Sequence, residues 1–281
     1  MKTLGDYHLH TRYSDGKATV MDMAQTAKDR GLSEIAITEH GFAHMLGLRR
    51  RNFEKMRGEI QSARAIMPVL VGIEANVTSV DGSIDINDDE RHEFDIVLLG
   101  LHVRVLYGLR TFFSFLLPNL FFRVLRWTPK GLVRKNTAIV KRAIERNRID
   151  IWAHPNRYNK LDVVEVAKTC AERGTLIELS SKKISFRPID FERMIEVGAK
   201  FIINSDAHST KRVGNITRAE EFLKNCDYNE DDIINLKQTY TEYRAKKENG
   251  KIKKQNNNAG PNQNGNIEQD QNRPVKRGWF K

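Results

Sequence analysis

The sequence repeatedly places metal-binding side chains at the ends of short apolar runs. His8-Leu9-His10 ends one such run, and because alternate residues of a strand point the same way, both imidazoles can reach one ion. The candidate ligands are His8, His10, Asp15, His40, Glu74, His102, His154, Asp206 and His208. Divalent metals held by imidazoles and carboxylates activate water and polarise the bond that it attacks. The pattern therefore predicts a multinuclear metal centre.

The apolar runs themselves predict seven strands. They cover residues 4–8, 35–39, 69–74, 96–102, 149–154, 176–180 and 201–206. Segments with apolar residues at helical spacing lie between most of them, at residues 20–30, 49–65, 132–147, 161–173 and 190–197. Strands that alternate with helices predict a parallel sheet, and most simply a closed α/β barrel whose strands converge at their carboxyl ends. That convergence would bring the nine candidate ligands together.

Composition excludes several classes of protein. The chain has 281 residues, of which 40% are hydrophobic, and this suits a globular protein rather than a fully disordered one. The two cysteines, Cys170 and Cys226, cannot form a disulfide framework and lack zinc-finger spacing. The first residues contain no apolar signal region of useful length. We therefore expect a cytoplasmic protein. Peripheral attachment of this protein to a membrane is an open alternative.

The net charge of +11 comes from two basic segments. Residues 103–150 contain 11 Lys and Arg against 2 acids, and residues 244–281 contain 10 against 3. The remainder of the chain is therefore mildly acidic, which suits a protein that gathers cations. The second basic segment is rich in Asn and Gln and is predicted to be a disordered tail. We thus divide the chain into a folded domain, residues 1–243 with an insert at 103–135, and a tail, residues 244–281.

Residues 111–122 (TFFSFLLPNLFF) form an uncharged run inside the basic insert, which Pro118 is expected to break. The run is shorter than the roughly 20 apolar residues that span a bilayer. Three alternatives are open for it. They are a buried hairpin of helices, a lid over the site, and a patch over residues 105–127 that rests on a membrane surface.

Four motifs resemble those of the PHP family, named for polymerase and histidinol phosphatase. They are His8-Leu9-His10-Thr11 with Ser14-Asp15-Gly16, Thr38-Glu39-His40-Gly41, Gly72-Ile73-Glu74-Ala75-Asn76, and Ser205-Asp206-Ala207-His208. The resemblance covers residues 4–243, and residues 72–85 look especially like the single-domain bacterial phosphatases of the family. It implies a distorted (β/α)7 barrel, three metals, commonly zinc, manganese or iron, and hydrolysis of phosphate esters.

The resemblance also implies roles for individual residues. The first metal would be held by His8, His10, Glu74 and Asp206, the second by Asp15, His40 and His208, and the third by Glu74, His102 and His154, with Glu74 as the bridge. The closest trinuclear members have a histidine near the position of Asp15, and a carboxylate there favours manganese or iron over zinc. Glu39, which stands where many members have Asp, is expected to orient His40.

The expected reaction is hydrolysis of a phosphomonoester by a metal-bound hydroxide, with Glu74, Asp206 and His208 as catalytic residues. The candidates for binding the phosphate of a small substrate are Arg12, Arg157, Lys182 and Lys183. Arginine would bind two phosphate oxygens with its fork of donors, whereas lysine would act as a point charge.

Other functions are open. A basic insert that starts after His102 and overhangs the site would favour a phosphodiesterase or exonuclease acting on nucleotides or a short nucleic acid. A histidinol phosphatase is a further alternative, although nothing in the sequence singles out an imidazole-bearing substrate. PHP modules can also lose their ligands and persist as inactive modules, but all nine positions here carry competent side chains. No partner protein is identifiable from the sequence.

Overall fold

Seven parallel strands form one sheet whose order follows the chain. The computed structural model describes residues 1–258, and for residues 251–258 it describes the backbone alone. The strands are β1 (Gly5–Leu9), β2 (Glu34–His40), β3 (Val69–Asn76), β4 (Ile96–Gly100), β5 (Ile151–Trp152), β6 (Leu176–Ser180) and β7 (Phe201–Asn204). Nearly all their side chains are buried, which explains why the strands read as continuous apolar runs.

Helices connect the strands. They are α1 (Val20–Asp29), α2 (Phe53–Ala63), α3 (Asp88–Arg91), α4 (Leu109–Thr111), α5 (Leu117–Val124), α6 (Lys130–Arg146), α7 (Val163–Arg173), α8 (Pro188–Glu196), α9 (Thr217–Leu223) and α10 (Tyr240–Asn258). A π-helical turn, Phe112–Leu116, joins α4 to α5, and a 3₁₀ turn, Arg50–Asn52, precedes α2. The five helices that the spacing predicts are all present, with small differences at their ends.

The first and last strands close the sheet into a barrel. Leu9 forms a parallel bridge with Ala207, in the loop that follows β7. The His10 amide donates to the Ala207 carbonyl at 2.9 Å, and the Ala207 amide donates to the His8 carbonyl at 3.1 Å. The Tyr7 amide donates to the side chain of Asn204 at 2.9 Å. The predicted distorted (β/α)7 barrel is therefore confirmed.

Three strands end earlier than the apolar pattern predicts. β4, β5 and β7 stop two residues before His102, His154 and Asp206. His154 has a φ of 30° and Asp206 a φ of 50°, and neither value fits an extended strand. These candidate ligands therefore belong to the loops that follow the strands.

Local sequence signals define the ends of several helices. Thr19 precedes α1, and its hydroxyl accepts from the Asp22 amide at 3.1 Å while the Asp22 carboxylate accepts from the Thr19 amide at 2.9 Å. This reciprocal pair is a capping box. Gly174 follows α7 with a φ of 68°. Glycine adopts this left-handed conformation without strain because it has no Cβ atom. The predicted end of this helix at residue 173 is therefore confirmed.

The insert after β4 packs against the rest of the domain with one side only. Phe115 and Leu116 are buried, whereas Phe113 and Phe121 are 62% and 57% exposed. Pro118 does not break the segment, because it lies in the first turn of α5, where a missing amide hydrogen costs little. The insert is therefore not a fully buried hairpin, because only its inner side is buried. Among the described residues, no helix combines the length and the apolar composition needed to cross a bilayer.

The chain divides into two units, residues 1–243 and residues 244–281. In the second unit, α10 continues as a helix to Asn258. The rest of the predicted disordered tail, residues 259–281, lies outside the described residues.

Candidate metal centre

The candidate ligands meet at the carboxyl ends of the strands. His40, the last residue of β2, is the register partner of Glu74 in β3, so the two side chains start from adjacent positions. His8 and His10 come from the end of β1, and their ring centroids lie 5.0 Å apart. The remaining candidates come from the loops after β1, β4, β5 and β7. Parallel strands thus assemble a cluster from residues that are far apart in the sequence.

Glu74 lies at the centre of the cluster and is fully buried. Its Oε1 atom is 2.6 Å from His154 Nε2 and 3.2 Å from His102 Nε2. Its Oε2 atom is 2.7 Å from His40 Nδ1 and 3.3 Å from His8 Nε2. The two carboxylate oxygens therefore face different groups of histidines, and each oxygen could serve as a ligand in a different group.

Several buried atoms of the cluster lack the hydrogen bonds that burial ordinarily requires. Within residues 1–258, the site atoms without a hydrogen-bond partner are His8 Nε2, His10 Nδ1 and Nε2, Asp15 Oδ1, His40 Nδ1 and Glu74 Oε2. His40 Nδ1 and Glu74 Oε2 lie 2.7 Å apart, yet they do not form a hydrogen bond with each other. Unpaired buried polar atoms are costly unless something binds them. The residues present therefore fit divalent metal ions, which take imidazole nitrogen and carboxylate oxygen as ligands.

Three overlapping groups of side chains could each hold a metal ion. They are His8, His10 and Glu74; His10, Asp15, His40 and His208; and His40, Glu74 and His102. In each group the ligand atoms lie within 4.8 Å of one another. Two predicted ligands, Asp206 and His154, stand outside these groups but close to them. Asp206 Oδ1 is 3.8 Å from His10 Nε2, and His154 Nε2 is 2.6 Å from Glu74 Oε1.

Burial and charge act in opposite directions on the ionisation of the cluster. Burial would raise the pKa of Glu74, but His102 and His8 hold that pKa well below its usual value. Burial would lower the pKa of His8, yet the carboxylates of Glu178 and Glu74 raise it well above its usual value. At His102 burial dominates and lowers the pKa to about 3. Glu74 is therefore ionised and His102 neutral, the forms in which both bind metals.

The same balance sets the state of two further candidates. Burial would raise the pKa of Asp206, but His8 and Lys182 lower it to about 2. Burial, reinforced by the nearby His40, holds the pKa of His10 well below its usual value. Both side chains are therefore in the unprotonated form that metal binding requires.

Glu178, a buried carboxylate in β6, is a site residue that was not predicted from the sequence. Its Oε1 atom accepts from His8 Nδ1 at 2.7 Å and from the Asn204 side-chain amide at 3.0 Å. Its Oε2 atom accepts from the backbone amide of His154 at 2.8 Å. Because His8 uses Nδ1 for this bond, its Nε2 atom is left free on the side of Glu74. The available signal was a glutamate inside the apolar run LIELS.

Asn76 supports His102 from the other side of the cluster. His102 Nδ1 donates to Asn76 Oδ1 at 2.6 Å, and Asn76 Nδ2 donates to Asp85 Oδ2 at 2.8 Å. This chain of bonds leaves His102 Nε2 facing Glu74. Asn76 belongs to a motif that the sequence analysis recognised, but its link to His102 depends on the pairing of β3 with β4.

Two further rings that were not predicted, His44 and Tyr158, also line the site. The ring centroid of His44 lies 4.2 Å from that of His40, and the ring centroid of Tyr158 lies 5.4 Å from that of His102. Burial and the proximity of His40 lower the pKa of His44 to about 4, so that its ring is neutral. Seven of the eight histidines in the chain thus lie at the site.

Glu39 does not contact His40 in the way that the sequence analysis expected. Its buried carboxylate accepts from the Thr11 amide at 2.9 Å and from the hydroxyls of Thr11 and Ser14. Burial raises the pKa of Glu39 to about 7. Because the loop after β1 folds against β2, Glu39 holds the turn that carries Asp15 instead of orienting His40.

The candidate ligands open into a cleft of about 410 Å³. Its walls include Lys182 and, from the basic insert, Arg104 and Arg123. Lys182 Nζ lies 3.1 Å from Asp206 Oδ1, and Arg157 Nη1 lies 2.7 Å from Asp206 Oδ2. The structure therefore brings two of the predicted phosphate-binding cations, Lys182 and Arg157, to the candidate ligands.

Arg12 does not line this cleft. Its side chain is 53% exposed, and its guanidinium donates to Glu59 at 2.8 Å. The Tyr13 hydroxyl donates to the same carboxylate at 2.8 Å. Because Glu59 holds Arg12 on the outer surface, this side chain is not where a phosphate-binding role would place it. Lys183 lines an adjoining cleft of about 690 Å³.

Comparison with known proteins decides the family. The sequence model of the PHP domain matches residues 6–247. This chain belongs to the PHP domain family. The resemblance that the four sequence motifs carry is thereby confirmed, and it extends over the whole barrel.

Curated relatives of this PHP domain protein are named probable phosphatases. One from Thermoanaerobacter sp. (strain X514) is 28% identical over 253 residues, which cover 84% of this chain and 91% of the relative. Another, from Shewanella loihica, is 29% identical over 245 residues and covers 84% of this chain and 90% of the relative. These relatives agree with the predicted enzyme class, a PHP-type phosphatase.

A solved structure supports the fold of this PHP domain. The crystal structure of histidinol phosphate phosphatase from Lactococcus lactis, complexed with zinc, L-histidinol and phosphate, matches with a TM-score of 0.55. The match has 14% sequence identity and covers 82% of this chain and 95% of that chain. At this level of sequence identity the match supports a shared barrel fold only.

Proposed function

We propose that this PHP domain protein is a metal-dependent phosphatase that hydrolyses phosphomonoesters at a trinuclear metal centre. The observation that carries the proposal is the position of Glu74, whose two oxygens face separate groups of histidines beneath an open cleft. One carboxylate can thus serve two metal ions. The curated relatives from Thermoanaerobacter sp. and Shewanella loihica, both named probable phosphatases, support the phosphatase class.

Each proposed metal has a ligand set that the distances support. The sets are His8, His10, Glu74 and Asp206; Asp15, His40 and His208; and Glu74, His102 and His154. In the second set, Asp15 Oδ1 lies 3.5 Å from His40 Nε2 and 3.3 Å from His208 Nε2. A carboxylate at that position favours manganese or iron over zinc, because carboxylate oxygen is the harder ligand.

When bound, the metals would activate water and neutralise negative charge on the phosphate. The chain itself supplies the cations that bind the phosphate. Lys182 and Arg157 place two positive charges beside Asp206. Arg104 and Arg123 line the same metal centre and have no ion-pair partner among the described residues, so their charges are available to a substrate. Cations on two sides can hold a phosphate against the metal-binding residues.

The groups behind the ligands fix their direction. Glu178 accepts from Nδ1 of His8, and Asn76 accepts from Nδ1 of His102. The Nε2 atom of each ring then faces Glu74 without any rearrangement of the side chain. Such preorganisation lowers the cost of assembling the charged centre.

Release of inorganic phosphate tests the proposal. Protein loaded with manganese or zinc is expected to release phosphate from a panel of phosphomonoesters. Glu74→Gln should lower kcat/KM about 100-fold or more, because an amide cannot bridge two metal ions. The panel includes histidinol phosphate, which tests that more specific alternative.

Glu34→Gln is the matched control. Like Glu74 in β3, Glu34 is a buried strand glutamate, but it is the first residue of β2, at the end of the barrel opposite the metal centre, and it accepts from the Thr241 amide at 3.1 Å. This variant should keep its activity. Phosphate release from none of the monoesters, or full activity in Glu74→Gln, would contradict the proposal.

A phosphodiesterase is a second candidate function, and one observation favours it. The adjoining cleft is lined by Arg126, Lys160 and Lys183 together with Trp127. Positive charges with an aromatic ring are typical of grooves that bind a single nucleic-acid strand. A short 5′-phosphorylated oligonucleotide in the same assay separates the candidates. Release of mononucleotides would favour the phosphodiesterase, and phosphate release from monoesters alone would favour the phosphatase.

A further inference from the structure

The insert after β4 carries an unusual concentration of exposed apolar side chains. Ten of the fifteen large apolar side chains that the described residues expose lie between residues 106 and 127. We call them the insert surface: Leu106, Leu109, Phe112, Phe113, Leu117, Leu120, Phe121, Val124, Leu125 and Trp127. Leu109 and Val124 are 79% and 82% exposed. Apolar side chains exposed in such numbers within one segment mark a surface that binds something.

The inner side of the same segment is fixed to the domain. Asn119 and Asn136 exchange two amide hydrogen bonds, at 3.0 and 2.8 Å. The Tyr107 ring packs against Phe115 at a centroid distance of 5.8 Å, and its hydroxyl donates to the His102 carbonyl at 2.6 Å. The exposed side cannot turn inward without breaking these contacts. The insert surface is therefore held outward by the packing of its inner side.

The surroundings of the insert surface are strongly positive. No acid occurs between residues 96 and 144, whereas nine Lys and Arg do. Arg110, Lys130 and Arg134 are exposed, and within the described residues none of the three has an acidic partner. Their charge is therefore uncompensated and available to an anionic partner.

We propose that the insert surface docks the protein on an anionic lipid bilayer. Apolar and aromatic side chains on one side of a helix, with arginine and lysine around them, are the pattern of helices that lie in a membrane interface. Trp127, 62% exposed at the end of the segment, is of the residue type enriched at the level of the lipid headgroups. This inference concerns where the protein binds and does not depend on the proposed phosphatase activity.

The charge and the apolar character of the insert surface favour a bilayer over two other partners. A second copy of the chain would bring two positive surfaces face to face, and like charges repel. A nucleic acid would pair with the cations but would leave Leu109, Phe113 and Val124 in water. An anionic bilayer satisfies both features, because its headgroups bind the cations and its acyl chains take up the apolar side chains.

The metal centre lies close to this surface along the chain and in space. Arg123 belongs to α5 and lines both the metal cleft and the adjoining cleft. Docking through the insert surface would therefore hold the mouth of the metal centre near the lipid headgroups.

Co-sedimentation with vesicles tests the proposal. The full chain is expected to sediment with vesicles of phosphatidylcholine and phosphatidylglycerol, and much less with phosphatidylcholine alone. Two triple variants should each bind at least about tenfold more weakly. They are Leu109→Ser with Phe113→Ser and Val124→Ser, and Arg110→Glu with Lys130→Glu and Arg134→Glu. The matched control, Lys28→Glu with Lys55→Glu and Lys224→Glu, makes the same change of charge outside the insert and should bind like the wild type.

The substituted side chains are all exposed, and thermal unfolding of each variant checks that its fold is intact. Unchanged binding by the two insert variants would overturn the proposal, as would an equal loss of binding by the control. Wild-type protein that stays in the supernatant would overturn it as well. A dimer that the apolar substitutions dissociate would then assign the insert surface to a second copy of the chain.

Discussion

Glu178 holds His8, and its replacement tests that role. The carboxylate accepts three hydrogen bonds, from His8 Nδ1, the Asn204 side-chain amide and the His154 backbone amide. Glutamine has the same size but must turn its NH2 group towards at least one of these donors. We expect Glu178→Gln to weaken metal binding and activity by about 10- to 100-fold, as titration with manganese or zinc and phosphate release would show.

Glu34→Gln again provides the control, because it removes a buried strand carboxylate at the other end of the barrel. Circular dichroism of both variants checks that the barrel is folded. Unchanged metal affinity in Glu178→Gln would show that the barrel alone fixes the ring of His8.

The candidate ligands were recognisable from the sequence because few side-chain types bind metals and each stands near the end of an apolar run. Glu178 was not, because its partner His8 is 170 residues away along the chain and only the closed barrel brings them together. Arg12 shows the reverse case. Its position beside the turn that carries Asp15 suggested a role at the phosphate, but Glu59 in α2 holds it on the outer surface.

The end of β4 illustrates how the backbone makes room for the site. A Cβ atom on Gly100 would lie 2.4 Å from His102 Cε1 and 3.0 Å from Glu74 Oε1. Alanine at this position must therefore displace one of these side chains. We expect Gly100→Ala to lower kcat/KM for a phosphomonoester by about 100-fold, because displacements of about 1 Å at a catalytic group have effects of that size.

Gly131→Ala is the matched control. Gly131 lies in α6, and a Cβ atom there would meet nothing within 4 Å. Because the added methyl group displaces nothing, this variant should keep its activity. Alanine favours a helix over glycine, so its unfolding temperature should not fall. Equal activity in the two variants would show that His102 and Glu74 tolerate displacement.

The strands and most helices were predictable, but several of their ends were not. Burial on both faces makes the strands continuous apolar runs, and this signal is strong. Two residues after the ends of β5 and β7, His154 and Asp206 have a positive φ, a conformation that no local sequence rule assigns to these residue types. Pro118 predicted a break, whereas the structure continues the helix from the π-helical turn into α5.

The closed barrel explains how so many ionisable groups can be buried together. Closure places β1 beside the loop after β7, so that the ring centroids of His10 and His208 lie 4.4 Å apart. The two kinds of charge at the site come from different parts of the chain. The acidic body of residues 1–102 and 151–243 contributes the carboxylates of the metal centre, and the basic insert contributes Arg104 and Arg123 to the cleft above it.

The number of metal ions bound per chain tests the central claim most directly. Wild-type protein equilibrated with manganese or zinc, then dialysed and measured by inductively coupled plasma mass spectrometry, is expected to hold about three ions per chain. Glu74→Gln should hold fewer, because Glu74 belongs to two of the three proposed ligand sets. A wild-type protein with no bound metal or a single ion, or a Glu74→Gln variant with the full number, would contradict the account.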